Sequence, residues 1–195
     1  MANTPRAVAL ALFSALGFGA AIKHALATFS RPRGWERYSP VRPCRESMSF
    51  APANKNFEAV VRELLLGMPF LQWLGLSFAH IAPGEVDFVM PLRHEITFDG
   101  QAVQAGPIGS LLDFAAGAAA FTLAPEQEML ATSDFTVKLL APAIGEKFIG
   151  RGRVLSRTGS TTVCRADVSA SKGRAEKLIA TGLVSMRALS RPSRQ

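Results

Sequence analysis

The sequence predicts an α+β fold in which one long buried helix lies against a single antiparallel sheet. Three observations predict it. Residues 107–124, PIGSLLDFAAGAAAFTLA, are small and apolar with one acid among them, a composition that buries a helix on all sides. Residues 85–92, EVDFVMPL, alternate apolar and polar, the period of a half-buried strand. After Pro125 come long β-rich stretches punctuated at Gly145, Gly159 and Gly173. Strands gathered in a block after a helix, rather than alternating with helices, indicate α+β layering.

Residues 56–66, NFEAVVRELLL, set Phe57, Val60, Val61, Leu64 and Leu65 at three- and four-residue spacing. That is one face of an amphipathic helix, with Asn56 at its N-cap and Gly67 as its stop. Residues 71–81 are mostly apolar with one glycine and read as a strand. Pro83-Gly84 is a turn signal. The strand after it, with Val86, Phe88 and Met90 on one face, completes a hairpin. Residues 94–106 hold Gly100, Gln101, Gln104 and Gly106 without a clean period and read as a loop. The long helix then opens at Pro107, whose fixed φ and missing N–H suit the first helical position. The small residues from Ala115 to Ala120 keep it thin enough for a sheet to wrap closely. Residues 129–142 read as a strand. Residues 146–171 read as a long hairpin turning near Thr158-Gly159, and Lys172-Gly173 marks another turn. Residues 176–189 close the chain, with Leu178, Ala180, Gly182, Val184 and Met186 on one face. No internal repeat is found.

This domain is assigned to residues 48–190, with 191–195 as a tail. Residues 1–47 differ in composition. Residues 7–22, AVALALFSALGFGAAI, are apolar between Arg6 and Lys23, and residues 31–47 are rich in Arg and Pro, an extended linker. Several expectations stand side by side. A signal peptide fits the basic start and short apolar core, and an organellar presequence fits the lack of acids before Glu36. A membrane anchor needs about 20 apolar residues, and Lys23 ends the run before that. The plainer expectation is an extension that takes no part in the fold, Met48 being a natural start for the domain. The expected location is cytoplasmic, or membrane-associated or exported through residues 1–28.

Charge and cysteine content narrow the function classes. The net charge is +7, but residues 1–48 carry seven Lys/Arg against two Glu, leaving only +2 on the rest. No basic stripe with interleaved aromatics marks a nucleic-acid surface. Two cysteines, Cys44 and Cys164, make no disulfide framework. With His24, His80 and His94 widely spaced, neither a zinc site nor a histidine triad is expected.

Asp113 is the anomaly of the long helix, the one charged residue between Asp99 and Glu126. An acid in a buried helix is costly unless it is paired, hydrogen-bonded or open to a cavity. It is either a helix acid meeting an arginine or solvent gap, or a carboxylate serving as nucleophile or as general base on water. Ala105-Gly106-Pro107 stands where loop becomes helix. Free N–H groups there, with the helix dipole, can stabilise a developing oxyanion.

Residues 104–117, QAGPIGSLLDFAAG, resemble the helix-start motif of PaaI-type hotdog thioesterases: His-Gly/Ala-Gly, apolar and small residues, Leu-x-Asp, and a glycine-bearing end. The motif's acid follows its first position by nine residues, as Asp113 follows Gln104. Residues 134–168 resemble the family's second half, and residues 74–92 its first hairpin, so the likeness runs from about Phe57 to the C-terminus. It implies a hotdog fold, a long helix wrapped by an antiparallel sheet. It implies homodimers paired sheet edge to sheet edge, which pair again in some members as tetramers, with active sites between subunits. It also implies an acyl-CoA substrate cleaved to free acid and CoA, with no metal and no cofactor beyond the CoA of the substrate.

On this reading Asp113 is the catalytic carboxylate, the N–H groups about Ala105 and Gly106 polarise the thioester carbonyl, and Gln104 assists through its amide. The chain departs from the pattern at two places. Gln104 replaces the motif's histidine, and Phe98 stands where a Gln or Asn is common, with Thr97, Asp99 and Gln101 as polar neighbours. Thr132 and Ser133 fall where the family often places a hydroxyl near the acid. Lys138, Arg151, Arg153 and Arg157 are either phosphate contacts or a solvated face. Trp73 and the phenylalanines fill either the core or an acyl tunnel. The replacements motivate an alternative, a non-catalytic hotdog dimer that binds acyl-CoA or serves as a scaffold. A hydratase on the same fold ranks behind both, because the acid lies within the helix.

Overall fold

A computed structural model of the chain describes residues 50–189. The expectations for residues 1–47, Cys44 included, and for the tail 191–195 lie outside the described residues. The first helix, α1 (Phe57–Leu66), keeps its predicted span and buries Val61 and Leu65. Asn56 occupies the N-cap position, but its side chain makes no cap bond. Asn54 Oδ1 instead accepts the Asn56 N–H at 2.8 Å.

Residues 71–75 are not strand. Residues 71–74 belong to a second helix, α2 (Pro69–Leu74), with Pro69 in its first turn and Gly75 capping its end at φ 70. Leu71 and Leu74, three residues apart, are both fully buried, so helical spacing wins over the apolar run. The strand begins only at β1 (Ser77–Ala82) and turns through Pro83-Gly84 into β2 (Glu85–Pro91). Gly84 lies at φ 77, a conformation glycine takes without steric cost. Its N–H donates to Thr122 Oγ1 at 2.7 Å, which ties this turn to the far end of the central helix. Val86, Phe88 and Met90 are fully buried, as alternation predicts.

A short 3-10 turn (His94–Ile96) opens the connecting loop. The central helix, α3 (Ala105–Phe121), starts two residues earlier than Pro107. Pro107 is therefore its third residue, still inside the first turn, where N–H groups lack helical partners and proline is tolerated. Four strands follow: β3 (Met129–Leu139), β4 (Lys147–Thr158), β5 (Thr161–Lys172) and β6 (Ala175–Leu189). The sheet order is β1-β2-β4-β5-β6-β3, antiparallel throughout. On β6, Ala180, Gly182, Val184 and Met186 face inward as predicted, but Leu178 does not follow them. A bulge at Val168/Ser169 makes Ile179 an extra residue, and Ile179 is buried in its place.

Helix and sheet touch at backbone distance. A Cβ on Gly152 would lie 2.0 Å from the Ala115 carbonyl oxygen, and one on Gly150 would lie 2.8 Å from Leu111 Cγ. Leu111, Leu112 and Ala115 are fully buried in one core with Phe88, Phe148 and Met90, each large side chain contributing about 1.5–3 kcal/mol of burial. Among the described residues no helix is long and apolar enough to cross a membrane.

Candidate active site

The central helix is buried on all sides from Ala115 to Ala120, but its first half is not. Gly106 is exposed, and Gly109, Ser110, Asp113 and Phe114 are half-buried. These positions recur at three- and four-residue intervals, so they form one open stripe along the helix. Small side chains leave room above it, and Ser110 turns inward, its Oγ donating to the Gly106 carbonyl at 3.0 Å.

Asp113 sits on this stripe. The Thr132 hydroxyl donates to its Oδ1 at 2.9 Å and lies 3.3 Å from Met186 Sδ. Sheet pairing explains the geometry. Thr132 is the register partner of Met186, and a bulge follows before Asp134 resumes the ladder with Ser185. The extra residue is Ser133, whose Oγ donates to the Ser185 carbonyl at 3.0 Å. Of the two hydroxyls flagged in the sequence, only Thr132 reaches the acid. Burial pushes the Asp113 carboxyl above its ordinary value of 3.8, and the Thr132 hydrogen bond pulls the other way without cancelling it. No cation among the described residues pairs with it, so the reading of a helix acid meeting an arginine is not what the fold builds.

The other half of the candidate site is the helix start. Gln104 N–H donates to the Ile96 carbonyl at 3.0 Å, and its Nε2 leans on the Thr97 carbonyl at 3.4 Å. No side chain caps the helix. The N–H groups of Ala105 and Gly106, both exposed, have no carbonyl a turn earlier to bond. Nothing lies within 4 Å of where a Gly106 Cβ would stand. Free donors at the positive end of a helix are suited to a developing negative charge.

The loop before it is internally tied. Thr97 Oγ1 donates to the His94 carbonyl at 2.7 Å and accepts the Gly100 N–H at 2.9 Å. Asp99 Oδ1 accepts the N–H groups of Gln101 and Ala102, both at 2.9 Å, and these bonds hold its carboxyl below the usual range. Thr97 and Asp99 thus serve the loop's own backbone rather than standing in for the residue at Phe98. Phe98 itself is 79% exposed.

Three of the cations weighed as phosphate contacts are already paired. Arg151 bonds Glu176, Arg153 bonds Asp87, and Arg157 bonds Glu128. Lys138 is exposed on β3. The described residues contain no group of three His, Cys, Asp or Glu that could hold a metal ion. Burial pushes the Cys164 thiol up to about 12, which removes it as a nucleophile at neutral pH. In the sequence Met186 reads only as an inward-facing strand residue. Its place against Thr132 depends on register, which alternation does not carry.

A family model described as the thioesterase superfamily matches residues 101–177, a range that includes Gln104, Asp113 and Thr132. Among solved structures, a thioesterase family protein from Silicibacter pomeroyi is 32% identical, with 69% of this chain and 99% of that one covered and a TM-score of 0.67. The PaaI protein from the phenylacetic acid degradation operon of E. coli is 15% identical over 69% of this chain and 94% of its own, with a TM-score of 0.62. A mutant of a thioesterase from Staphylococcus aureus is 14% identical over 63% and 100%, with a TM-score of 0.58. The last two likenesses speak for the fold alone, and that fold is the hotdog. None of the curated proteins matches.

Proposed function

This chain belongs to the thioesterase superfamily, whose chemistry is the hydrolysis of thioesters, and from that premise we propose that it cleaves an acyl-CoA to the free acid and CoA. The observation that carries the proposal is Asp113: half-buried, without a cation, on an open stripe and oriented by Thr132. In the simplest course the ionised carboxylate takes a proton from water as the oxygen attacks the thioester carbonyl carbon. The C–S bond then breaks, and the CoA thiolate leaves and takes up the proton. Attack by Asp113 itself, through an acyl-carboxylate anhydride opened by water, uses the same carboxylate. The Ala105 and Gly106 N–H groups stabilise the oxyanion, and Gln104 assists. No metal or cofactor enters the scheme.

Helix spacing supports a site divided between two subunits. Gly106 and Asp113 are seven residues apart, or about 10 Å along the axis, too far for one carbonyl to meet both. A homodimer in which the acid of one chain faces the helix start of its partner resolves this. The β3 edge supports such pairing. Among the described residues it bonds only β6, and it carries Phe135 at 50% and Leu139 at 54% exposure, an apolar edge of the kind that folded proteins cover or pair. Phe135→Lys is expected to raise the dimer dissociation constant about a hundredfold, with hydrolysis falling in parallel. A variant that stays dimeric in sedimentation at nanomolar concentration would remove β3 from the interface.

The reading is tested by thiol release from a panel of acyl-CoA thioesters of short, long and aromatic acyl groups; absence of release from all of them ends it. Thr132→Val removes the bond that favours the charged carboxylate, so the Asp113 pKa rises further. The acid limb of the kcat/KM profile should then move to higher pH, and a limb that stays put excludes Thr132 from positioning the acid. One observation favours a second reading, a dimer that binds acyl-CoA without turnover. Phe98, exposed at the loop tip, offers no polar group for water or the carbonyl. Calorimetric binding of acyl-CoA with no thiol release would select it.

A further inference from the structure

The Thr132 hydroxyl has one proton and two acceptors. It lies 2.9 Å from Asp113 Oδ1 and 3.3 Å from Met186 Sδ. The first contact orients the acid, and the second ties the acid to β6. Met186 is the register partner of Thr132 and is only 3% exposed. Its thioether end lies against the central helix at Gly117. A Cβ there would stand 3.5 Å from Met186 Cε and 3.8 Å from Sδ. Gly117 follows Asp113 by four residues, so both occupy one face of the helix. Asp113, Thr132, Met186 and Gly117 thus close a circuit across α3, β3 and β6.

No charged side chain enters this circuit among the described residues. On β3 and β6, Asp134 pairs with the outward Ser185 and Arg187 follows the inward Met186. On β2, β4 and β5, Asp87, Arg151 and Asp167 each stand between inward-facing neighbours and so face outward. Burial and Thr132 are what act on the Asp113 carboxyl.

A thioether is a weak acceptor with no proton of its own. An ionised carboxylate is the stronger acceptor, so the Thr132 proton points to Asp113 while the acid is charged. Once Asp113 holds a proton, its own O–H can donate to Thr132 Oγ. The Thr132 proton then needs another acceptor, and Met186 Sδ is within reach.

We infer that Met186 is a positioning residue, whose sulfur receives the Thr132 hydroxyl proton when Asp113 takes a proton from water, so that acid and hydroxyl stay hydrogen-bonded before and after the transfer. The inference rests on the thioesterase reading. One proton passes from water to Asp113, while that of Thr132 stays on its oxygen and rotates. Without the sulfur the protonated acid loses support, and the charged form has the hydroxyl to itself.

The test is Met186→Leu, a volume-conserving change, in the full-length wild type and in Thr132→Val. In the wild type it should move the acid limb of the kcat/KM profile to lower pH, raising the rate relative to the plateau about threefold at a fixed pH on the limb. Thr132→Val alone moves the limb the other way. In Thr132→Val, adding Met186→Leu should leave the limb in place, because the sulfur acts only through the hydroxyl. No shift in the wild type, or an equal shift in both backgrounds, would overturn the inference. Gly117→Ala touches the same methionine end and keeps the sulfur. A limb that it moves as far as Met186→Leu does would make packing the cause and overturn the inference as well. Met186→Ile serves the same comparison if the leucine variant does not fold. If the wild type releases no thiol from any acyl-CoA, the thioesterase reading fails by itself. Titration of the Asp113 carboxyl by carbon-13 NMR on the same proteins, which needs no turnover, then decides the role of Met186 by the same criteria.

Discussion

Asp113→Asn is expected to lower kcat for acyl-CoA hydrolysis at least about a thousandfold while changing substrate binding less than about threefold. Asparagine has the shape of the carboxylate and can accept the Thr132 hydrogen bond, so the site keeps its form and loses its base. The same substitution should make the protein more stable. Burial holds the Asp113 pKa above its ordinary value of 3.8 in the folded chain. Between 3.8 and that raised value the folded state keeps a proton that the unfolded chain has released, so stability falls as pH rises through this window. Above the window the full cost of a partly buried charge remains. Asp113→Asn removes it, and Tm at neutral pH should rise by about 2 °C, the gain vanishing in acid below the ordinary value. Thiol release at the wild-type rate would take the chemistry away from Asp113. A lower Tm at neutral pH would mean that the carboxylate serves the fold instead.

Gly152→Ala is expected to be among the most damaging small substitutions in the sheet. Its Cβ would stand 2.0 Å from the Ala115 carbonyl oxygen and 2.3 Å from the carbonyl carbon. Both are backbone atoms of the central helix, so no rotamer change relieves the overlap. The helix must lift from the sheet and open gaps around Leu111 and Leu112. A cost above about 4 kcal/mol follows, which lowers Tm by about 10 °C or more. Calorimetry of the purified variant checks it; a Tm within about 2 °C of wild type would mean that helix and sheet lie farther apart than described.

Much of this fold is legible in the sequence because periodicity reports it directly. The alternation of Val86, Phe88 and Met90 gives β2, and the run of small residues from Ala115 gives a buried helix. The misreading of residues 71–75 has a specific cause. An apolar stretch that puts Leu71 and Leu74 inward satisfies a helix by spacing and a strand by composition, and Pro69 upstream is the signal that decides. The bulges at Thr132/Asp134 and Val168/Ser169 were not legible. A bulge is a property of pairing with another strand, and one extra residue inverts the alternation beyond it. For that reason Thr132 and Ser133 are equivalent in the sequence and differ only through their pairing with β6. Asp113 stood out because a lone charge in an apolar helix needs no partner to be noticed. The arginines were opaque for the opposite reason. Asp87, which neutralises Arg153, lies 66 residues away in sequence.

The paired glycine contacts under the central helix also act as a vernier. Gly150 receives Leu111 and Gly152 receives Ala115. Two residues along a strand advance about 6.6 Å, and four along a helix advance about 6 Å, so both notches engage at a single setting. A helix seated this way has neither axial slip nor roll. Asp113 lies between the two engaged residues, so its bearing is set by a strand on which none of the candidate catalytic groups stands. Selection for a correctly aimed carboxylate would thus fall on residues with no side chain at all.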